Sequence, residues 1–374
     1  MSNTLNLGNG NWATKEDALL GYNSESNNYK PLPFDFERGS VATRINKEGL
    51  IETVGANEPR VDYKDDSKGA LLLEPSRTNL IPYSEDFSQW ISIDGVVRTD
   101  NFTNSPDGSQ NASKLVFNGT PNSRIEVQVS SSGTNTQSVY LKTESGTQNV
   151  SIGSSSTDLT EFTITDQWVR YTHTGGGSYP RILCSDAATI YAWGCQYEAG
   201  SYATSYIPTQ NTAQTRLADE CNNGANDQVI NSTEGTLYVE ANLIDGYDNN
   251  NWLGIIYDNS NANNRVYIQR YLGNIQGGIR VNGVIQSEIT QSNSSLGKNK
   301  IAFTFKQNEF KLFVNGSQVS STDTIGSVFS ENTLDTLNVG VYHNNTLQFN
   351  SGIDDVKLYN TALTDQELIA LTQV

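Results

Sequence analysis

The residues best suited to chemistry in this chain of 374 residues cluster in one acidic, amide-rich loop, Asp245-Gly-Tyr-Asp-Asn-Asn-Asn-Trp252. A sugar ring stacks on an aromatic face while amides and carboxylates bond its hydroxyls. Trp252, Tyr247, Tyr257 and Asn250 are therefore the candidates for holding one. Asp245, Asp248 and Asp258 bring hard oxygen donors to the same rim, the ligand type that calcium takes. Structural roles compete with this reading. Trp252 opens a strand, where an aromatic serves equally well as core, and each aspartate stands where a turn would use it.

Covalent and acid–base chemistry find fewer parts. A glycosidase needs two carboxylates facing across a cleft. The strand pattern Glu-x-Asp-x-(x)-Glu is absent, and the adjacent pairs Asp354-Asp355 and Glu85-Asp86 are expected to point to opposite faces of a strand. With His173 and His343 as the only histidines and no Gly-x-Ser-x-Gly, a Ser-His-Asp hydrolase is equally short of components. The expectation is that the chain is not an enzyme. Cys184, Cys195 and Cys221 are odd in number and match no zinc pattern, so they are expected as free thiols.

The elements that must position these residues are strands. The hydrophobic content is only 36%, and Asn, Ser, Thr and Gly fill the deficit, which suits many short strands joined by polar turns. Against 24 Lys and Arg stand 41 Asp and Glu, a net charge of -17 that repels a phosphate backbone and argues against nucleic acid as a partner. No stretch is apolar enough to insert in a membrane, and the start at Met1 has no signal-peptide character, so synthesis in a cytoplasm is expected.

Three segments follow along the chain. Residues 1–77 read as short strands with too few large apolar residues for a core of their own, so this β-rich segment must lean on another domain or chain. Residues 78–217 read as regularly spaced strands without helical period, a sandwich whose core takes Trp90, Trp168 and Trp193. Beyond a polar linker from Gln210 to Asp227, residues 218–374 form a second sandwich, with tight hairpins at Asn282-Gly283 and Asn315-Gly316. It closes on a strand and a short helix, where Thr364 and Glu367 form a capping box and Leu363 and Leu368 a hydrophobic staple. The fold class is thus all-β: two β-sandwich (jelly-roll) domains in tandem after a short β-rich segment, ending in a short helix.

The run from Gly352 to Leu368 resembles the closing signature of laminin G-like and concanavalin A-like lectin domains. The stretch from Phe34 to Glu52, with Glu58-Pro-Arg-Val-Asp-Tyr and Leu72-Leu-Glu-Pro-Ser-Arg-Thr-Asn-Leu, resembles a segment of tailed-phage structural proteins. Asn79 to Trp90 and Tyr191 to Thr209 are similar to the jelly-roll carbohydrate-binding modules that follow it there. These resemblances imply a bacteriophage virion protein, made in the host cytoplasm, that contacts other virion proteins and binds surface glycans, with a homo-oligomer expected. The alternatives are a capsid-decoration or fibre subunit without a glycan ligand, and a polysaccharide depolymerase.

Overall fold

A computed structural model describes residues 5–8, 12–15, 18–23, 28–31, 35–244, 250–344 and 347–374. Among these residues everything regular is strand, except a 3-10 turn at Phe87–Gln89 and the helix Asp365–Thr372. The chain divides into two compact units: Met1–Val41, Val54–Pro75 and Ala218–Val374 form the first, and Ala42–Thr53 with Ser76–Leu217 the second.

The first unit is a sandwich of an 11-stranded back sheet and a five-stranded front sheet. In the back sheet, Ser351–Tyr359 lies between Leu5–Gly8 and Glu234–Leu243, followed outward by Gly297–Lys306, Glu309–Val314 and Ser317–Asp323. Period-two alternation sends Leu237, Val239, Ala241, Ile301, Phe303, Phe305, Leu312, Val356 and Leu358 into one core with Leu7, Leu71 and Leu73. The opposite face presents Tyr238, Ala302, Phe313 and Tyr359, covered by Leu363, just before the terminal helix, and by Leu368 within it. That helix starts where its cap dictates: Thr364 accepts from the Glu367 amide and Glu367 accepts from the Thr364 amide. Both Asn-Gly turns have the positive φ of a tight hairpin, 51° and 81° at Asn282-Gly283 and 49° and 79° at Asn315-Gly316.

Inside this unit four charged side chains close a buried network. Arg38 Nη1 donates to Asp219 Oδ1 at 3.0 Å, Arg60 donates to both Asp219 and Glu74, and the Glu74 amide donates to Asp219 Oδ2 at 2.9 Å. Burial alone would drive the Arg60 charge off, yet Asp219 and Glu74 raise its pKa above the ordinary value.

The second unit is a sandwich of two five-stranded antiparallel sheets. Phe87, Trp90, Leu115, Phe117, Val139, Leu141, Ile152, Ile182 and Ile190 fill the space between them, and the ribbon of Arg77–Asn79 with Gln214–Arg216 joins the ends of this stretch. Trp90 and Trp193 are buried as expected, whereas Trp168 is only half-buried, at the margin of the cluster that holds Trp193. All three cysteines are buried free thiols. Burial pushes the Cys195 thiol up to about 12, so it is inert at neutral pH.

Candidate functional site

The front sheet of the first unit runs Val284–Gln291, Asn274–Val281, Arg265–Tyr271, Asn250–Tyr257, Thr336–Val339. Alternation turns Val266, Ile268, Ile275 and Ile279 toward the core, so Tyr267, Gln269, Gln276 and Arg280 face outward. A register shift between Trp252 and Gly254 breaks strict alternation in Asn250–Tyr257. Leu253 and Ile256 thereby both reach the core, and Trp252, Ile255 and Tyr257 gather on the outward side with Tyr267 and Tyr342.

The aromatic rings there are packed against one another. Trp252 meets Tyr267 edge-on with centroids 5.1 Å apart and Tyr342 at 4.6 Å, and the Arg265 guanidinium lies 5.7 Å over the Tyr342 ring. Gly278 makes this possible, since a Cβ at that position would stand 2.5 Å from the Tyr267 ring. Beside the rings a polar row crosses three strands. Gln269 Nε2 donates to Gln276 Oε1 at 2.7 Å, Gln276 Nε2 donates to Thr290 Oγ1 at 3.1 Å, and the Tyr267 hydroxyl donates to Glu288. Burial and the Glu288 carboxylate both raise the Tyr267 pKa, so the phenol stays protonated and donating. Burial, then Arg265, lowers the His343 pKa, which leaves that imidazole neutral at pH 7.

Several polar atoms of this face meet no hydrogen-bond partner among the described residues: Trp252 Nε1, Gln269 Oε1, Asn338 Nδ2, Asn250 Oδ1, Arg265 Nε and Arg280 Nε. Exposure rises along the face. Trp252 and Tyr257 are 5% and 4% exposed, Arg280 is intermediate, and Glu288 and Thr290 are open to solvent.

Of the residues singled out in the sequence, Trp252, Tyr257 and Asn250 lie together on this sheet, while Asp245, Tyr247 and Asp248 lie outside the described residues. Asp258 organises its own turn, accepting from Ser260 N at 2.9 Å, Ser260 Oγ at 2.6 Å, Asn261 N at 3.1 Å and Asn264 Nδ2 at 3.2 Å. Burial works against its charge, but the bonds from Ser260 and Asn264 prevail and hold the carboxyl below the usual range. Its oxygens are thus already engaged, and no group of three or more His, Cys, Asp or Glu among the described residues is arranged to hold a metal ion. Tyr267, Gln269, Gln276, Glu288 and Tyr342 were missed by sequence reasoning. The alternation in Arg265-Val-Tyr-Ile-Gln marks an outward Tyr267 and Gln269, but only the cross-strand register brings the others beside them.

The carboxylate pair Asp354-Asp355 departs from the expected opposite orientation. Glu240 pairs with Asp355 and Ala241 with Ile353, so Asp354 is the extra residue of a bulge and both carboxylates reach the face of Glu240. Each also has a lysine, Lys298 at 3.2 Å from Asp354 and Lys357 on Asp355. Burial pushes both pKa values up to about 6, the lysines opposing it and Glu240 adding to it.

Residues 225–369 match the family described as the concanavalin A-like lectin/glucanases superfamily. No curated protein matches the chain. Among solved structures, the chain is similar to the CBM40 of a Ruminococcus gnavus IT-sialidase bound to α2,3-sialyllactose, at 18% identity over 41% of this chain and 94% of that one, with a TM-score of 0.35. Domain 4 of AbnA, a GH43 extracellular arabinanase from Geobacillus stearothermophilus in complex with arabinotriose, is similar at 14% identity over 46% of this chain and 82% of that one, TM-score 0.33. The heptameric SAP-like pentraxin of Limulus polyphemus is similar at 14% identity over 37% and 70%, TM-score 0.30.

Proposed function

We propose that this chain is a non-enzymatic glycan-binding protein whose concanavalin A-like domain holds sugar on the outward face of its front sheet. The supporting observation is the set of buried polar atoms beside the Trp252, Tyr267 and Tyr342 rings that have no partner among the described residues. An unsatisfied buried polar group costs about 1–3 kcal/mol, so folded proteins keep few of them. A hydroxyl-rich ligand supplies both donors and acceptors to such atoms, and Tyr342, the partly exposed ring of the cluster, offers surface to its C–H groups. The hydrogen-bonded row Gln269, Gln276, Thr290 holds these amides in place before a ligand arrives, and Arg280, Glu288 and Thr290 mark its open end. Catalysis is left out of the reading because Asp354 and Asp355 are buried and paired with lysines. Display on a tailed-phage particle, as a homo-oligomer facing host or environmental glycans, belongs to the same reading. The resemblance of Phe34 to Glu52 to phage structural proteins supports it.

The test is a glycan array and whole-cell binding with the purified chain, with calcium and again with chelator, beside Gln276→Ala. Specific binding is expected, weakened by about ten-fold in the variant because the Gln269 amide loses the row that holds it, with a lower Tm because Gln276 bonds both Gln269 and Thr290. A flat screen with folded protein would overturn the glycan reading in favour of a capsid-decoration or fibre subunit. Release of oligosaccharides from host polysaccharide would overturn its non-enzymatic part.

A further inference from the structure

The second unit carries another organised surface. In its sheet of Val97–Thr103, Ala112–Asn118, Ala187–Ala199, Asn135–Thr143 and Val169–Gly175, Lys114 pairs with Tyr191 and Tyr191 with Lys142. Phe102 extends this row on one side and Trp168 on the other, so aromatic and lysine side chains alternate across the sheet. Lys114 Nζ lies 4.7 Å from the centroid of Phe102, and Lys142 Nζ lies 5.1 Å from Trp168 and 5.5 Å from Tyr191. Phe102 and Tyr191 are stacked at 15° and 5.8 Å. Further along the same face, Trp193 and Tyr206 are covered by Ile45 and Ile51, but the Phe102 end is open, with Phe102 itself 43% exposed.

Neither ammonium has a carboxylate within ion-pair distance among the described residues, although carboxylates outnumber cations 41 to 24 in the chain. The rings hold the two charges by cation–π attraction, and two strand spacings set their backbones about 10 Å apart. From this arrangement we propose that the row is a second binding surface, separate from the front sheet of the first unit, for an acidic polysaccharide. Phe102 and Trp168 stack sugar rings, and Lys114 and Lys142 pair with carboxylate or sulfate groups on alternate residues of the glycan. The net charge of -17 does not forbid this, because screening at physiological salt confines repulsion to about 8 Å. It does weigh against a strand with a phosphate on every residue.

The probes are polygalacturonate for carboxylates, dextran sulfate for sulfates, dextran as the neutral control and a single-stranded oligonucleotide, titrated against the full chain at low and at high NaCl. Binding of at least one acidic polysaccharide is expected, weakened ten-fold or more by Lys114→Gln with Lys142→Gln, weakened by Phe102→Ala, retained by Lys114→Arg with Lys142→Arg and reduced by salt. Gln276→Ala in the first unit leaves it unchanged, which separates this result from the fate of the front-sheet site. The single change Lys114→Gln, at a half-exposed side chain, serves if the double variant does not fold. Binding that ignores the lysines, equal binding of dextran, or binding of the oligonucleotide alone would overturn the proposal.

Discussion

Asp219 has both carboxylate oxygens committed to arginines, and its side chain, like those of Arg38 and Arg60, is 0% exposed. Removing one partner of such a buried set strands the others, at a cost of about 3–5 kcal/mol. Asp219→Asn keeps the shape and removes the charge, so a loss of that size in urea unfolding is expected, and a loss below about 1 kcal/mol would mean that the network does not hold the first unit. Arg38, Arg60 and Glu74 all fall within the ordered motifs between Phe34 and Leu80. Their purpose was not legible there, because the residue that unites them is 145 positions beyond Glu74 and reads as part of a polar linker. Trp252 illustrates the same limit. Its type and its polar loop mark it, but its burial depends on Tyr267, on a neighbouring strand, and on Tyr342, in the segment after Thr336–Val339.

At the scale of elements, strands, hairpins and the capped helix were legible because each is written in local pattern: alternation, Asn-Gly, and a Thr and Glu three apart. The bulges at Trp252–Gly254 and at Asp354 were not. Nothing in Trp252-Leu-Gly or in Ile353-Asp-Asp announces an extra residue, since a bulge is a mismatch between two strands distant in sequence. The second has a measurable consequence. It carries Asp354 and Asp355 to one buried face beside Glu240, and both bind their protons more tightly in the folded state than in the unfolded chain, with folded values of about 6. Stability from these groups is complete below the unfolded carboxylate pKa and is lost as pH rises through about 6. The Tm should therefore climb as pH falls from 7 to 5. Relief of the overall negative charge acts in the same direction, so the comparison is with Asp354→Asn, which should show a shallower climb. Identical slopes for the two proteins would remove the bulge carboxylates as its source.

For the whole molecule, the stretch matching the lectin family, 225–369, is smaller than the unit that folds around it. The strand Ser351–Tyr359 is flanked on one side by Glu234–Leu243, but on the other it pairs with Leu5–Gly8 and with Ala70–Leu73. Leu7, Leu71 and Leu73, at most 1% exposed, belong to the common core, and Trp12 donates its indole N–H to the Asp354 carbonyl. A fragment of residues 218–374 would leave that strand as an unpaired edge over an opened apolar core, the arrangement that templates aggregation. It would also lack Arg38, Arg60 and Glu74, so Asp219 would lose its partners. The fragment is therefore expected to be insoluble or to melt without a cooperative transition, and adding residues 1–77 as a separate peptide should restore part of the cooperativity. A fragment that melts cooperatively near the Tm of the full chain would show instead that the early strands decorate a sandwich already stable without them.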